Sequence, residues 1–100
     1  MHGHLSVLVD HGDAQPVIHL SGDLDLGSSD QLIACVEQLH ARGHEAAILD
    51  LGRVGLLDSS GVRALVQAGE LLTITMRNPS VHIAELLSAT GLDGPLDHPV

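Results

Sequence analysis

The chain has no Phe, Tyr or Trp and no lysine, so four arginines stand against thirteen acids. Without aromatics there is no platform on which a nucleic-acid base could stack and no tyrosine to phosphorylate. The core must be built from Leu, Val, Ile and Ala. The shortage of cations leaves a formal net charge of -9, which disfavours phosphate backbones and anionic membrane, since both are held by Lys and Arg. Partners should therefore be neutral or basic on the face they present. Cys35 is the one cysteine; it cannot form an internal disulfide, and nothing indicates an oxidising compartment. Within the run LIACV a buried, inert thiol is expected. No segment approaches the ~18 to 20 apolar residues of a membrane span. MHGHLSVLVDHG has neither the basic start nor the long apolar segment of a signal peptide. A soluble, cytoplasmic protein is expected, and 100 residues leave room for one domain.

What is present reads as alternating elements. LSVLVD (5–10) and PVIHLSG (16–22) have strand character, and HGDAQP between them supplies turn residues, which suggests an antiparallel hairpin. GSSDQLIACVEQLHARG carries helix signals: Ser28 and Gln31 in capping-box spacing, and Gly43 where a C′ glycine belongs. Leu32, Ile33, Val36 and Leu39 fall on one face. HEAAILDLG (44–52) is a nearly unbroken apolar strand. The residues that follow predict a helix over about 60–68, with Val62, Leu65 and Val66 inward and Gly69 as its stop. A strand over 71–76 precedes a last helix capped by Asn78, with Pro79 at its first position and Gly91 after its end. The order ββαβαβα predicts an α/β fold in two layers: a mixed, mostly parallel sheet with its helices on one face through right-handed crossovers.

Ligand sites in such sheets favour the edge where strands end and helices begin. LLDSSGVRAL (56–65) crosses that edge, and SGDLDLGSS brings Asp23 and Asp25 to it. Ser59 precedes a helix whose first amides are unpaired and carry partial positive charge. A phosphate there would find backbone donors and would add roughly -1.5 to -2 charge beside Asp58. Simple capping would need a single Ser, Thr, Asp or Asn. Three in a row after an apolar pair exceed that need.

LLDSSGVRAL, with VIHLSGDLDLGSSDQL upstream and MRNPSVHIAELLSATGL downstream, resembles the STAS domain of bacterial anti-sigma factor antagonists over residues 5–92. The resemblance implies that Ser59 is the phosphoacceptor of an anti-sigma factor that is also an ATP-dependent serine kinase. The unphosphorylated form would bind that factor and free a sigma factor for transcription. Asp58 would orient the hydroxyl, Ser60 and Gly61 would complete the turn, and Asp25 would be the neighbouring acid, with Asp23 in place of a usual glutamate. Arg63 joins these as a partner-facing residue. Against the family pattern, the helix before 71–76 reads as shortened, and no closing strand is expected after Gly91. That would leave a sheet edge uncovered, at which a second copy could pair weakly.

Rival chemistries fare worse. A serine hydrolase needs a base and an oxyanion hole beside its nucleophile, and G-x-S-x-G is absent. A two-component receiver would resemble this chain at Asp58 but requires a lysine. His40 and His44 stand four apart with Gly43 between, so no shared helix face holds a metal, and Arg53, Arg63 and Arg77 are scattered. No catalytic residue, cofactor or metal is expected. The alternative function is a STAS-type accessory or scaffold subunit of a membrane transport or stress-signalling complex, with Ser59 never modified.

Overall fold

The computed structural model describes residues 4–11 and 15–91 and the backbone of 96–97. Strands β1 (Leu5–Asp10) and β2 (Val17–Leu24) lead to helix α1 (Ser29–Ala41), then β3 (Ala46–Leu57), α2 (Ser59–Leu71), β4 (Thr73–Arg77), α3 (Val81–Ala89) and β5 (Leu96–Asp97). Among the described residues these strands form one sheet in the order β1-β2-β3-β4-β5. β1 pairs antiparallel with β2, and every later pair is parallel. All crossovers step the same way across the sheet, so right-handed connections put the helices on one face. Burial follows. Ile18, Leu20, Ala47, Leu49, Ile74 and Met76 point into the core beneath the helices. Their neighbours His19, Ile48, Asp50 and Thr75 face the open side and are only half-buried. The expected two-layer α/β architecture is the one observed.

β3 runs well past the expected end at 52. The reason lies in its register. His19 pairs with Asp50 but Ser21 with Arg53, and Gly22 pairs with Val54 but Asp23 with Leu56. At both places β3 spends one residue more than β2, as in a β-bulge. Burial along β3 accordingly changes after Leu51, from every second residue to every third (Leu51, Val54, Leu57). Strict alternation, the usual strand signal, is lost at that point. The bulges carry Leu57 to the end of β2, and this places residues 58–61 beside Asp23 and Asp25.

α2 also corrects its expectation. It continues through Gly69 to Leu71, so the helix is not shortened. A Cβ at Gly69 would meet nothing within 4 Å, and a glycine inside a helix costs only about 1 kcal/mol. The core beyond, where Leu72 is buried, offsets that cost. Its inward face is Ala64, Leu65 and Ala68, with Val66 45% exposed and Val62 half-buried. The alanines allow α1 and α2 to pack closely, so the larger valines are turned aside.

Caps differ in part. α3 is capped by Ser80, whose Oγ accepts the Ile83 N–H at 3.2 Å. Asn78 lies in the preceding turn with φ 59°, and Pro79 stands before the helix. Gly43 and Gly91 do follow the ends of α1 and α3 with positive φ. β4 occupies 73–77 rather than 71–76. A closing strand exists: β5 pairs Leu96 with Met76 and Asp97 with Arg77. Part of the expected HGDAQP turn, residues 12–14, lies outside the described residues. Among the described residues no helix is long and apolar enough to cross a membrane.

Candidate functional site

The rim where β2 and β3 end brings together Asp23, Asp25, Asp58, Ser59, Ser60 and Gly61. Asp23 pairs with Leu56 and Leu24 with Leu57, and the Asp58 N–H approaches the Leu24 carbonyl oxygen at 3.4 Å. Asp58 has extended backbone, and its Oδ1 accepts the Gly61 N–H at 2.9 Å. It is therefore the N-cap of α2, satisfying one of the amides that a helix start leaves unpaired. Ser59 follows as the first residue of α2 and is exposed. Its hydroxyl makes no hydrogen bond among the described residues. Ser60 is half-buried and Arg63 is exposed one turn further on.

Gly61 explains how the helix start can sit so close to the sheet. It is buried, and a Cβ there would run into the Leu24 carbonyl oxygen and come within 2.6 Å of Leu57 Cδ1. Any side chain would push the first turn of α2 outward and carry Ser59 with it.

The loop between β2 and α1 is organised from within. Asp25 is only 8% exposed. Its Oδ1 accepts the Gly27 N–H at 3.0 Å, and its backbone N–H donates to Ser28 Oγ at 3.0 Å. The Ser28 hydroxyl donates to the Asp23 carbonyl oxygen at 2.7 Å and lies 3.1 Å from the Asp25 carboxylate. Ser28 thus stands at the N-cap position of α1 without capping it through its side chain, and the capping-box reading is corrected. The Ser28 oxygen accepts the Asp25 N–H instead of an amide from the first turn of α1. Asp25 acts behind the surface, and half-buried Asp23 and Asp58 carry the negative charge nearer solvent.

Two residues at this rim escaped the sequence reading. Leu26 is 72% exposed and Leu56 46%. They give the acidic rim an apolar component. A single leucine in a polar loop, or at the end of a buried run, carries no periodic signal that it will face solvent.

Other groups lie elsewhere. A depression of about 640 Å³ on the open face of the sheet is lined by Ser6, His19, Asp50, Arg53 and Asn78 among others, and by none of residues 58–61. Within it His19 Nδ1 stands 3.4 Å from Asp50 Oδ2. The one histidine–carboxylate pair found among the described residues is thus on a different surface from Ser59. His44 meets His11 at a ring-centroid distance of 6.3 Å, not His40. Among the described residues no group of three or more His, Cys, Asp or Glu is placed to hold a metal ion.

Comparison with known proteins now adds to this geometry. The family model described as Mlab, STAS domain, matches residues 7–97. A search of curated protein sequences finds no match. Among solved structures, the anti-sigma factor antagonist SpoIIAA in its unphosphorylated form is similar at TM-score 0.82 and 20% identity, covering 95% of this chain and 89% of that one. The Bacillus cell fate determinant SpoIIAA in the phosphorylated form is similar at TM-score 0.74 and 22% identity, covering 95% and 92%. An anti-sigma factor antagonist from Mycobacterium paratuberculosis reaches TM-score 0.80 at 26% identity, covering 97% and 88%. With a family match across most of its length and the corresponding fold, the chain belongs to the STAS domain family.

Proposed function

We propose that this domain is an anti-sigma factor antagonist whose binding is switched by phosphorylation of Ser59. Its unphosphorylated form captures an anti-sigma factor that is also an ATP-dependent serine kinase, and so frees a sigma factor for transcription in the cytoplasm. The domain is the kinase's substrate and performs no catalysis itself. The carrying observation is the exposed Ser59 hydroxyl at the first position of α2, with the Asp58 carboxylate already engaged on Gly61. A phosphate added there meets helix-start amides and displaces no buried group.

The surface suits a partner with a basic and apolar face. Leu26 and Leu56 supply area that water would otherwise cover. Asp23 and Asp58 supply charge, Ser60 and Arg63 border it, and buried Gly61 and Asp25 hold the helix start and the loop in place. Adding roughly -1.5 to -2 charge at its centre sets the phosphate against whatever acidic groups the partner holds near Ser59. Like charges brought together at an interface cost several kcal/mol, and each ~1.4 kcal/mol is tenfold in affinity. That relatives of this fold have been solved in unphosphorylated and phosphorylated forms supports a switch that leaves the scaffold in place.

The test is incubation with candidate serine kinases and ATP, followed by mapping of the phosphate by mass spectrometry. Modification at Ser59, lost in Ser59→Ala, is expected. Ser59→Asp should bind the kinase at least tenfold more weakly than the parent, with unchanged circular dichroism. An unmodified Ser59 together with co-purifying transporter subunits would instead establish an accessory role.

A further inference from the structure

β1 is the terminal strand of the sheet. β2 occupies one of its edges, and no described element pairs with the other. A free strand edge presents a row of unpaired N–H and C=O groups, and proteins usually guard it with Lys, Pro, a bulge or extreme shortness. β1, LSVLVD, has none of these. It is six residues long, and its register with β2 is unbroken from Leu5↔Gly22 to Asp10↔Val17. Its one acid stands at the very end. The opposite side of the sheet is better protected: Met76 and Arg77 of β4 are paired by β5, which leaves only Thr73, Ile74 and Thr75 beyond. Among the described residues the longer uncovered edge is thus at the N-terminal side, in addition to the partly covered C-terminal side where the sequence placed one.

The centre of β1 is also apolar where water meets it. Leu8 is 67% exposed on the open face, with exposed Ser6 and Asp10 on either side of it. We infer that β1 is a homodimerisation edge, at which a second copy of this chain adds antiparallel about a twofold axis through Leu8. In that register Leu8 faces Leu8 of the second copy. Ser6 faces Asp10 twice, each hydroxyl able to donate to a carboxylate, and on the helix side Val7 faces Val9 twice. From residue 6 to residue 10 every cross-strand pair is then apolar with apolar or donor with acceptor, the combinations that stabilise antiparallel ladders, while Leu5 at the end of the strand falls opposite His11. A foreign strand could use the same backbone groups, but the self-complementary side chains select the second copy. The interface is isologous and small, at the weak end of the range for specific association. Because each copy carries a net charge of -9, long-range repulsion opposes the pairing and is screened by salt. The Ser59 rim, at the end of β3 two strands away, stays free.

Sedimentation equilibrium of the parent should show a reversible monomer–dimer system whose dissociation constant falls at least threefold between roughly 50 and 500 mM NaCl. Leu8→Lys should weaken it at least tenfold while circular dichroism stays unchanged, since Leu8 is exposed. In a Cys35→Ser background, Leu8→Cys should oxidise to a disulfide-linked dimer, because directly opposed antiparallel Cα atoms lie ~4.5 to 5.5 Å apart, within disulfide reach. Ser6→Cys, whose opposite residue is Asp10, should not. A monomeric parent at about 1 mM, a free energy of only ~4 kcal/mol, would overturn the inference. So would a dimer indifferent to Leu8→Lys, or cross-linking that is equal at positions 6 and 8.

Discussion

Gly61 is where the switch segment meets the scaffold, and its replacement tests that joint directly. In Gly61→Ala the new methyl runs into a backbone oxygen, which cannot rotate away as a side chain would. Overpacking of this kind costs typically 1–3 kcal/mol. The urea midpoint should therefore fall with little change in m, and phosphorylation of Ser59 should slow as the helix start is displaced. Ser28→Ala makes a different point. It removes the hydroxyl that joins the Asp23 carbonyl to the Asp25 N–H and leaves a buried donor unpaired, a loss of about 1–3 kcal/mol in a urea titration. Its effect on partner binding should exceed that of substituting exposed Arg63. The Ser28 role was not legible because Ser-x-x-Gln after a loop fits a capping box equally well, and only the fold brings Asp23 and Asp25 back over the hydroxyl. Cys35 adds a residue-scale pH dependence. The residue is half-buried rather than enclosed as expected, and this partial burial raises its thiol above the ordinary 9.0, so its contribution to stability is complete below the unfolded value and is lost as pH rises through the folded one. Alkylation by iodoacetamide at pH 8 should be slower in the folded protein than in urea, and a native rate equal to the unfolded rate would mean that the thiol is open.

Among the elements, α2 shows how local signals mislead when packing decides. Gly69 carries the usual mark of a helix end, yet the helix continues two residues past it. The only penalty is the conformational freedom of glycine in the unfolded chain. Gly69→Ala should accordingly raise stability by about 0.5–1 kcal/mol, seen as a higher thermal midpoint, since a Cβ there meets nothing within 4 Å. Loss of stability would show that the glycine is used for close contact after all. Asp58→Ala at the other end should cost about 0.5–2 kcal/mol as the cap is lost, whereas Asp58→Ser should restore most of the stability but not the negative charge. Comparing the two in a partner-binding assay separates capping from contact. β3 illustrates the same limit. Its first half alternates and was readable, whereas its bulged second half changes period where glycines and Arg53 interrupt the apolar pattern. The position of the candidate site beyond an apolar strand was nonetheless evident, because LLDSSG joins an apolar pair directly to capping residues.

At the scale of the whole molecule, the topology was legible because strands separated by helices leave few right-handed arrangements. The closing strand was not, because β5 has two residues in a segment flanked by prolines, too short for any periodicity. Charge is the other property of the whole chain that acts independently of detail. Folding concentrates thirteen acids and four arginines into a small volume, whereas the unfolded chain spreads the same charges apart. Such self-repulsion opposes the compact state, and ions within a Debye length, ~30 Å at 0.01 M but ~8 Å at 0.15 M, screen it. Raising NaCl from about 0.01 to 0.15 M should therefore increase the thermal midpoint, and a gain of ~1 kcal/mol would appear as roughly 4–8 °C in a domain of this size. The melt should be followed by circular dichroism at low micromolar protein, where association through β1 contributes nothing. Ser59→Asp should show a slightly larger salt response than the parent, having one more negative charge to screen. A midpoint that is flat or falls with salt would mean that the acids are locally balanced in the fold, and that a charge added at Ser59 would have to act through direct contact with the partner alone.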